Sequence, residues 1–397
     1  MSQSIPFLAG TGVLAALTTR LADLRADRYL IIADRAVWAL HGQSLLAVLP
    51  KSPGPPMSPP TPTHIIQLDA AESTKTLSTL DDLAQQALAA GASRQSVVIS
   101  FGGGLTCNLA GMLAATLFRG LRLVQVPTTL LAMHDTVTSV KQAVNVGGFK
   151  NLLGLYHAPI LICCDVNLLA SLTPNAIQSA LIEIVKNALI LGQPFIQQAR
   201  DLCAHSNKTD PNFALAAINS GVAAKRSLML HDPQERTAAL VFEYGHTVGH
   251  AIESHCADSL NHGQCVYWGM QAAAEIALSR TLLPLDAFNE HQRLLSLVGP
   301  VAHPANPIPL AALLDSLQFD NKRGHLPCLP NHIQMVLLRN IGLPAQTDAL
   351  PLTQVPLPEI RQALTMLPFV DATAHNACQC PASAQCQIHS APTGQHD

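Results

Sequence analysis

Charge is scarce in this chain. Only 12% of its 397 residues are Asp, Glu, Lys or Arg, about half the ~25% of an ordinary soluble protein. Aromatic residues make up 4%. A disordered or acidic-tail protein needs high net charge with low hydrophobicity, and a net charge of −3 with 48% hydrophobic residues gives neither. A general nucleic-acid binder needs a basic footprint, which scattered Arg and a pI near 6.6 do not supply. Long apolar runs are missing too: Asp165 stops the run from Ala158, and Glu183 and Lys186 break the one from Ala180. No stretch reaches the ~18–20 residues that a membrane helix needs. Residues 1–20 carry no basic segment ahead of their apolar part, so no secretory signal is expected. A soluble, cytoplasmic protein of about two domains is the expectation.

Ten Cys are present, but they are dispersed until a late group at Cys378, Cys380 and Cys386. Without an export signal they read as reduced thiols. Lysine is scarcer still, eight residues against fifteen Arg, so the place of each one is informative.

Short apolar runs at 29–34, 64–68, 97–101, 121–126 and 160–164 read as strands. Helical spacing separates them at 77–90 and 109–118. Strands alternating with helices imply a parallel sheet covered on both faces. From Asn175 to about Val298 the pattern is helical, and Met335 to Leu338 reads as a late strand or hairpin arm. The expected fold is therefore an α/β Rossmann-like N-terminal domain (1–172) followed by an α-helical C-terminal domain (173–370). Residues 51–63 form a Pro-rich connection, and 371–397 a disordered tail. The tail's Cys378, Cys380, Cys386 and His389 lack a second ligand pair at finger spacing, so a solvated appendage is the expectation, and loss of 372–397 should not cost activity.

Three segments carry chemistry. Gly102-Gly103-Gly104 follows a strand and leads into a helix near Thr106 or Asn108, where free N–H groups could meet a pyrophosphate; a tight turn is the plainer alternative. Thr128 and Thr129 close the next strand at the same sheet edge. His246 and His250 stand at i and i+4 on one helical face, His262 follows, and Glu183 and Lys186 lie one turn apart upstream. One Glu with two His would leave an open position on a tetrahedral metal. The alternative is ordinary histidines in a chain with 17 of them, the reading adopted for His64, His255 and His325. Lys141 to Asn145, Gly147-Gly148 and Lys150-Asn151 read as either a phosphate-facing or a merely solvated loop.

Together these segments resemble the sugar-phosphate cyclases typified by 3-dehydroquinate synthase. The resemblance runs from about Asp34 to Gly342. It rests on Glu72-x-x-Lys75, the three glycines, Phe118-Arg119-Gly120, Val126 to Leu130, Asp135, Lys141, Asn145, Lys150-Asn151, Glu183-x-x-Lys186, Lys225, Gly245 to Glu253, His262-Gly263 and Asp320-Asn321-Lys322. Departures separate the branches. Dehydroquinate synthases usually carry Asp at the place of Asn108, Arg at that of Ala239 and Asn at that of Glu243. Glu243 to Thr247 and Val185 to Leu189 instead look like the 2-deoxy-scyllo-inosose synthase branch, which acts on glucose 6-phosphate in aminoglycoside biosynthesis. A substrate without a carboxylate can dispense with the Arg. The alternatives are a 3-dehydroquinate synthase of the shikimate pathway, a metal-dependent alcohol dehydrogenase of related fold, and an inactive subunit.

The resemblance implies recycled NAD⁺, a divalent Co²⁺ or Zn²⁺, and usually a homodimer. The substrate's C4 hydroxyl is oxidised, the C5 proton is lost, phosphate leaves C6, C4 is reduced, and the opened ring closes onto C1. It implies a metal held by Glu183, His246 and His262. Lys141, Glu243 and His250 are implied for acid–base or proton-transfer roles. Asp135, Asn151, Lys186, Lys225 and Lys322 are implied for the substrate, with Arg119 reaching a neighbouring subunit's site. Asp34, Glu72, Lys75, Gly102, Gly103, Gly104, Asn108, Thr128, Thr129 and Lys150 are implied for the nucleotide. Six of the eight lysines thus fall on motif positions, which makes a poor charge inventory a site inventory.

Overall fold

The structure, a computed structural model, describes residues 5–50, 61–147, 149–256 and 259–373. Most of the Pro-rich connection, Gly148 and the Cys-bearing tail from residue 374 lie outside these.

The first half builds one parallel sheet from β1 (Phe7–Gly10), β2 (Tyr29–Asp34), β3 (Thr63–Leu68), β4 (Val97–Gly102), β5 (Arg122–Pro127) and β8 (Leu161–Asp165), in the order β1-β8-β5-β4-β2-β3. Every residue of β4 is buried. That explains why the run Val-Val-Ile-Ser-Phe-Gly is nearly continuous and not alternating: helices cover both faces of the sheet. These are α1 (Leu17–Asp23), α2 (Arg35–Val48), α3 (Leu77–Ala89), α4 (Gly104–Thr116) and α5 (Leu130–His134). From β2 the chain steps outward to β3, then returns to the other side of β2 as β4. This reversal opens a crevice at the carboxyl ends of β2 and β4, beside Asp34 and the three glycines, where open α/β sheets take ligands.

Three strands of this half escaped the sequence reading. β1 is a four-residue edge strand, too short to show a period. The segment expected to be a loop around Lys141 is an antiparallel hairpin, β6 (Lys141–Val146) with β7 (Phe149–Tyr156). Its polar and glycine residues suggested a loop because its chemistry-bearing side chains interrupt the alternation. The helix after the three glycines also starts earlier than expected, at Gly104. Residues 332–335 and 338–340 form two short strands in separate ladders, and Asp371, assigned to the tail, pairs with Pro309.

The second half is helical: α6 (Pro174–Leu191), α7 (Phe195–Ala204), α8 (Pro211–Met229), α9 (His246–Cys256), α10 (His262–Ser279), α11 (Leu285–Ser296), α12 (Leu310–Leu317) and α13 (Leu357–Thr365). Among the described residues no helix is long and apolar enough to cross a membrane. The described cysteines are all free.

The glycines around the paired histidines have a packing reason. A Cβ on Gly269 would sit 1.9 Å from the Gly245 carbonyl oxygen, and one on Gly263 would sit 2.5 Å from that of Ser179. Glycine therefore lets α10 approach both α9 and α6. Because the obstructing atoms are backbone, Gly269→Ala is expected to cost about 3 kcal/mol. Chemical denaturation reads this out, and an unshifted midpoint would refute the packing argument.

Candidate active site

A cavity of about 610 Å³ is lined by α4, the β6–β7 hairpin, α6, α8, α9, α10 and the turn at 321–325. That volume suits a small polar ligand together with part of a cofactor. All six motif lysines, Lys75, Lys141, Lys150, Lys186, Lys225 and Lys322, line it. Of the other two, Lys208 donates to the carbonyls of Leu202, Cys203 and His205 at the end of α7, and Lys51 lies outside the described residues.

Three helices bring the metal-ligand candidates together. Glu183 projects from the middle of α6, His246 opens α9 and His262 opens α10. Glu183 Oε1 lies 3.8 Å from His246 Nε2 and 3.7 Å from His262 Nε2. These gaps are too long for hydrogen bonds. They lie close to the ~3.4 Å edge of a tetrahedron of ligands about 2.1 Å from one ion. The wholly buried carboxylate has no aligned hydrogen-bond donor, although the Lys186 ammonium forms an ion pair with Oε2. A buried carboxylate lacking donors and facing two imidazoles fits a divalent cation.

The outer nitrogens of both rings are already committed. His246 Nδ1 donates to the Tyr244 carbonyl at 3.1 Å, and His262 Nδ1 meets Glu253 Oε2 at 3.2 Å. Such partners fix the tautomer that leaves Nε2 free. Burial, aided by Lys186, holds His246 well below its ordinary pKa, in the neutral form that binds metals. Burial likewise pushes His250 down to about 3. For His262 burial acts in the same direction but is outweighed by Glu253, which holds the ring above its usual value.

The remaining cations are balanced by acids. Lys150 bridges Glu72 (3.0 Å) and Glu253 (2.6 Å), and Lys225 pairs with Asp135 at 3.0 Å while lying over the Phe242 ring. Lys322 reaches Asp320 at 2.9 Å and Glu243 at 3.4 Å. Burial disfavours charge on Glu243, yet Lys141 and Lys322 outweigh it and hold the carboxyl well below its usual range. Burial pushes Lys75 down to about 8 against the pull of Glu72; its ammonium donates to Asn151 at 2.5 Å.

Of the residues implied for the nucleotide, Glu72, Lys75, Gly104, Asn108 and Lys150 line the cavity, as does Asn151, implied for the substrate. No side chain caps the first turn of α4, and a Cβ on Gly104 would come within 2.9 Å of Thr136 Oγ1. The result is an uncapped helix start behind a side-chain-free cradle, which fits a pyrophosphate. Asp34, Gly102, Gly103, Thr128 and Thr129 stand at the sheet's carboxyl edge, away from the cavity wall. There Asp34 caps α2 and Thr129 caps α5. Arg119 is exposed and does not line this chain's cavity.

Sequence reasoning missed several residues. His325, read as ordinary, lines the cavity, and so do Glu235 and Glu253, the latter quoted in the Gly245 to Glu253 segment but given no role. Tyr244 is anchored by a buried bond from its hydroxyl to His291 Nε2 at 2.9 Å, which steadies the carbonyl that orients His246. The only local signal was that acids are few.

A family pattern described as 3-dehydroquinate synthase N-terminal matches residues 65–179, and its C-terminal counterpart matches 180–323. The chain is 42% identical over 355 residues to the 2-deoxy-scyllo-inosose synthase of Streptoalloteichus tenebrarius, covering 88% of this chain and 89% of that one. The crystal structure of a 2-deoxy-scyllo-inosose synthase complexed with carbaglucose-6-phosphate, NAD⁺ and Co²⁺ superposes with a TM-score of 0.80 and 32% identity, covering 91% of this chain and 96% of that one. A 2-epi-5-epi-valiolone synthase from Streptomyces hygroscopicus with NAD⁺ and Zn²⁺ bound gives 0.73 and 26%, covering 92% and 97%.

Proposed function

Because the chain belongs to the 3-dehydroquinate synthase family, we infer that it works as a 2-deoxy-scyllo-inosose synthase. It is a phosphate-eliminating lyase that closes glucose 6-phosphate into a carbocycle for aminoglycoside biosynthesis, using NAD⁺ and a divalent metal. The observation that carries this reading is Glu243. Its carboxylate stands in the cavity between Lys141 and Lys322, where the 3-dehydroquinate branch has Asn. Ala239, where that branch has Arg, is buried and carries no charge for a substrate carboxylate.

Bound NAD⁺ supplies a hydride acceptor that is regenerated, so the net reaction is glucose 6-phosphate to 2-deoxy-scyllo-inosose plus phosphate. The bound metal, for which Glu183, His246 and His262 are the assigned ligands, supplies polarisation of the substrate oxygens. Glu243, kept ionised, accepts a proton from the sugar, and the paired Lys141 ammonium donates one. His250 is a neutral imidazole at the same wall, suited to relay a proton or to donate to the phosphate. Lys186, Lys225 and Lys322, with Asp135 and Asn151, hold the hydroxyls and the phosphate. Leu240 and Phe242 close the apolar part of the wall.

The nucleotide falls to Asp34, Glu72, Lys75, Gly102 to Gly104, Asn108, Thr128, Thr129 and Lys150. We place the domain boundary at 172/173. We also place the enzyme in the cytoplasm as a homodimer whose exposed Arg119 reaches the partner subunit's cavity.

The test is product formation. With glucose 6-phosphate, NAD⁺ and Co²⁺ or Zn²⁺, phosphate is released without net NADH. Release only from a heptulosonate phosphate would sink this reading, and steady NADH accumulation would point to a dehydrogenase.

A further inference from the structure

We propose that Glu235 is a positioning residue for this cyclisation, holding the Lys141 ammonium beside Glu243 without letting Glu243 be captured by it. The proposal rests on the cyclase reading above. Lys141 Nζ donates to Glu235 Oε2 at 2.8 Å and to Glu243 Oε1 at 3.3 Å, so Glu235 is the closer partner. The second oxygen of Glu235 accepts from Ser139 Oγ at 2.8 Å, and Ser139 Oγ in turn accepts the Lys141 backbone N–H at 3.3 Å. Glu235 therefore grips the side chain of Lys141 and, through Ser139, the start of its strand.

Glu235 is itself held firmly. It is buried, and its φ of 52° lies in the left-handed region that side-chain-bearing residues seldom adopt. Such a conformation persists only when its surroundings fix it. Here Asp232 accepts the backbone N–H groups of Arg236, Thr237 and Ala239 and locks the loop. The next residue repeats the staple: the Arg236 guanidinium lies 5.4 Å from the centre of the Tyr156 ring. Tyr156 is the cross-strand partner of Lys141 at the open end of the hairpin. Consecutive loop residues thus clamp both strands at the level of Lys141.

Burial disfavours the charge on Lys141, but Glu243 and Glu235 outweigh it and hold the ammonium above the ordinary lysine range. The other charged or titratable groups facing Lys141 and its two carboxylates are Lys322, Lys225, His246, His250, His325 and Arg236. If Lys141 acts as the protonated donor, activity is lost as pH rises through its pKa. Removing one of its two carboxylates lowers that pKa.

Glu235→Gln keeps the size of the side chain and its bond to Ser139. Steady-state kinetics of the holoenzyme with glucose 6-phosphate should show kcat reduced about 10²-fold, as for a displaced catalytic group, with KM within about threefold. The alkaline limb of the kcat profile, set in wild type above the ordinary lysine range, should move to lower pH. A kcat within about threefold of wild type overturns the proposal. So does a loss confined to KM, or a lower kcat with the limb unmoved. If Glu235→Gln does not fold, Glu235→Asp takes its place: a fall in kcat of about tenfold or more with KM kept supports the role, and an unchanged kcat refutes it. Wild-type turnover run alongside separates this failure from failure of the cyclase reading, which would leave wild type without phosphate release.

Discussion

Glu183→Gln is expected to empty the metal site, with bound Co²⁺ or Zn²⁺ falling from about one per chain to below about a tenth and phosphate release dropping by ~10³-fold or more. The physical reason is the donor set. Glu183 supplies the one carboxylate to a site whose other two donors are imidazoles, which ligate a metal only in the uncharged form. Its Oε1 also sets the common distance to both rings. An amide removes the charge and half of the acceptor capacity at no cost in volume. Lys186 loses its carboxylate in this variant, so some loss of stability accompanies it. Chelation gives the control that does not touch the chain. Neither hydrophobic cluster includes a metal-ligand candidate, so the chelated enzyme should keep its circular dichroism, lose turnover, and recover on adding Co²⁺ or Zn²⁺. Stoichiometric metal in Glu183→Gln would show the ligand set to be wrong.

Glu243→Gln should lower kcat by about 10²–10⁴-fold, the usual contribution of a positioned general acid or base, while leaving the fold intact. The neighbours explain why the fold survives. Lys141 keeps Glu235 at 2.8 Å and Lys322 keeps Asp320 at 2.9 Å, so neither cation is stranded. The role of Glu243 depends on its remaining ionised despite burial, which Lys141 and Lys322 secure. The amide keeps the shape and cannot take the proton. A kcat within about threefold of wild type, with normal KM, would remove Glu243 from the acid–base steps.

Much of this protein was legible in its sequence. Near-continuous apolar strands separated by helical spacing specify a sheet covered on both faces, because strands buried on both sides cannot alternate. Glu183-x-x-Lys186 and His246-x-x-x-His250 each encode a local geometry, about one turn of helix, and that geometry survives into the fold. Scarcity of lysine did the rest. With so few ammoniums, those on motif positions had a reason to be kept, and all six line the cavity.

Only the tertiary structure decided the partners of those residues. Lys141 meets Glu235 across 94 positions and Glu243 across 102, and Tyr244 finds His291 across 47. No period of 2 or 3.6 residues reports such a contact. It exists because the hairpin at 141–156 and the loop at 232–243 are brought to one cavity wall. The same holds for His325, whose sequence neighbours say nothing of a site, and for the hairpin itself, whose functional side chains mask its strand pattern. The sequence determined which chemical groups are present and on which short elements. Their pairing, and with it their protonation, was settled by long-range packing that buries each charge beside its opposite, since a buried charge left alone would be too costly to keep.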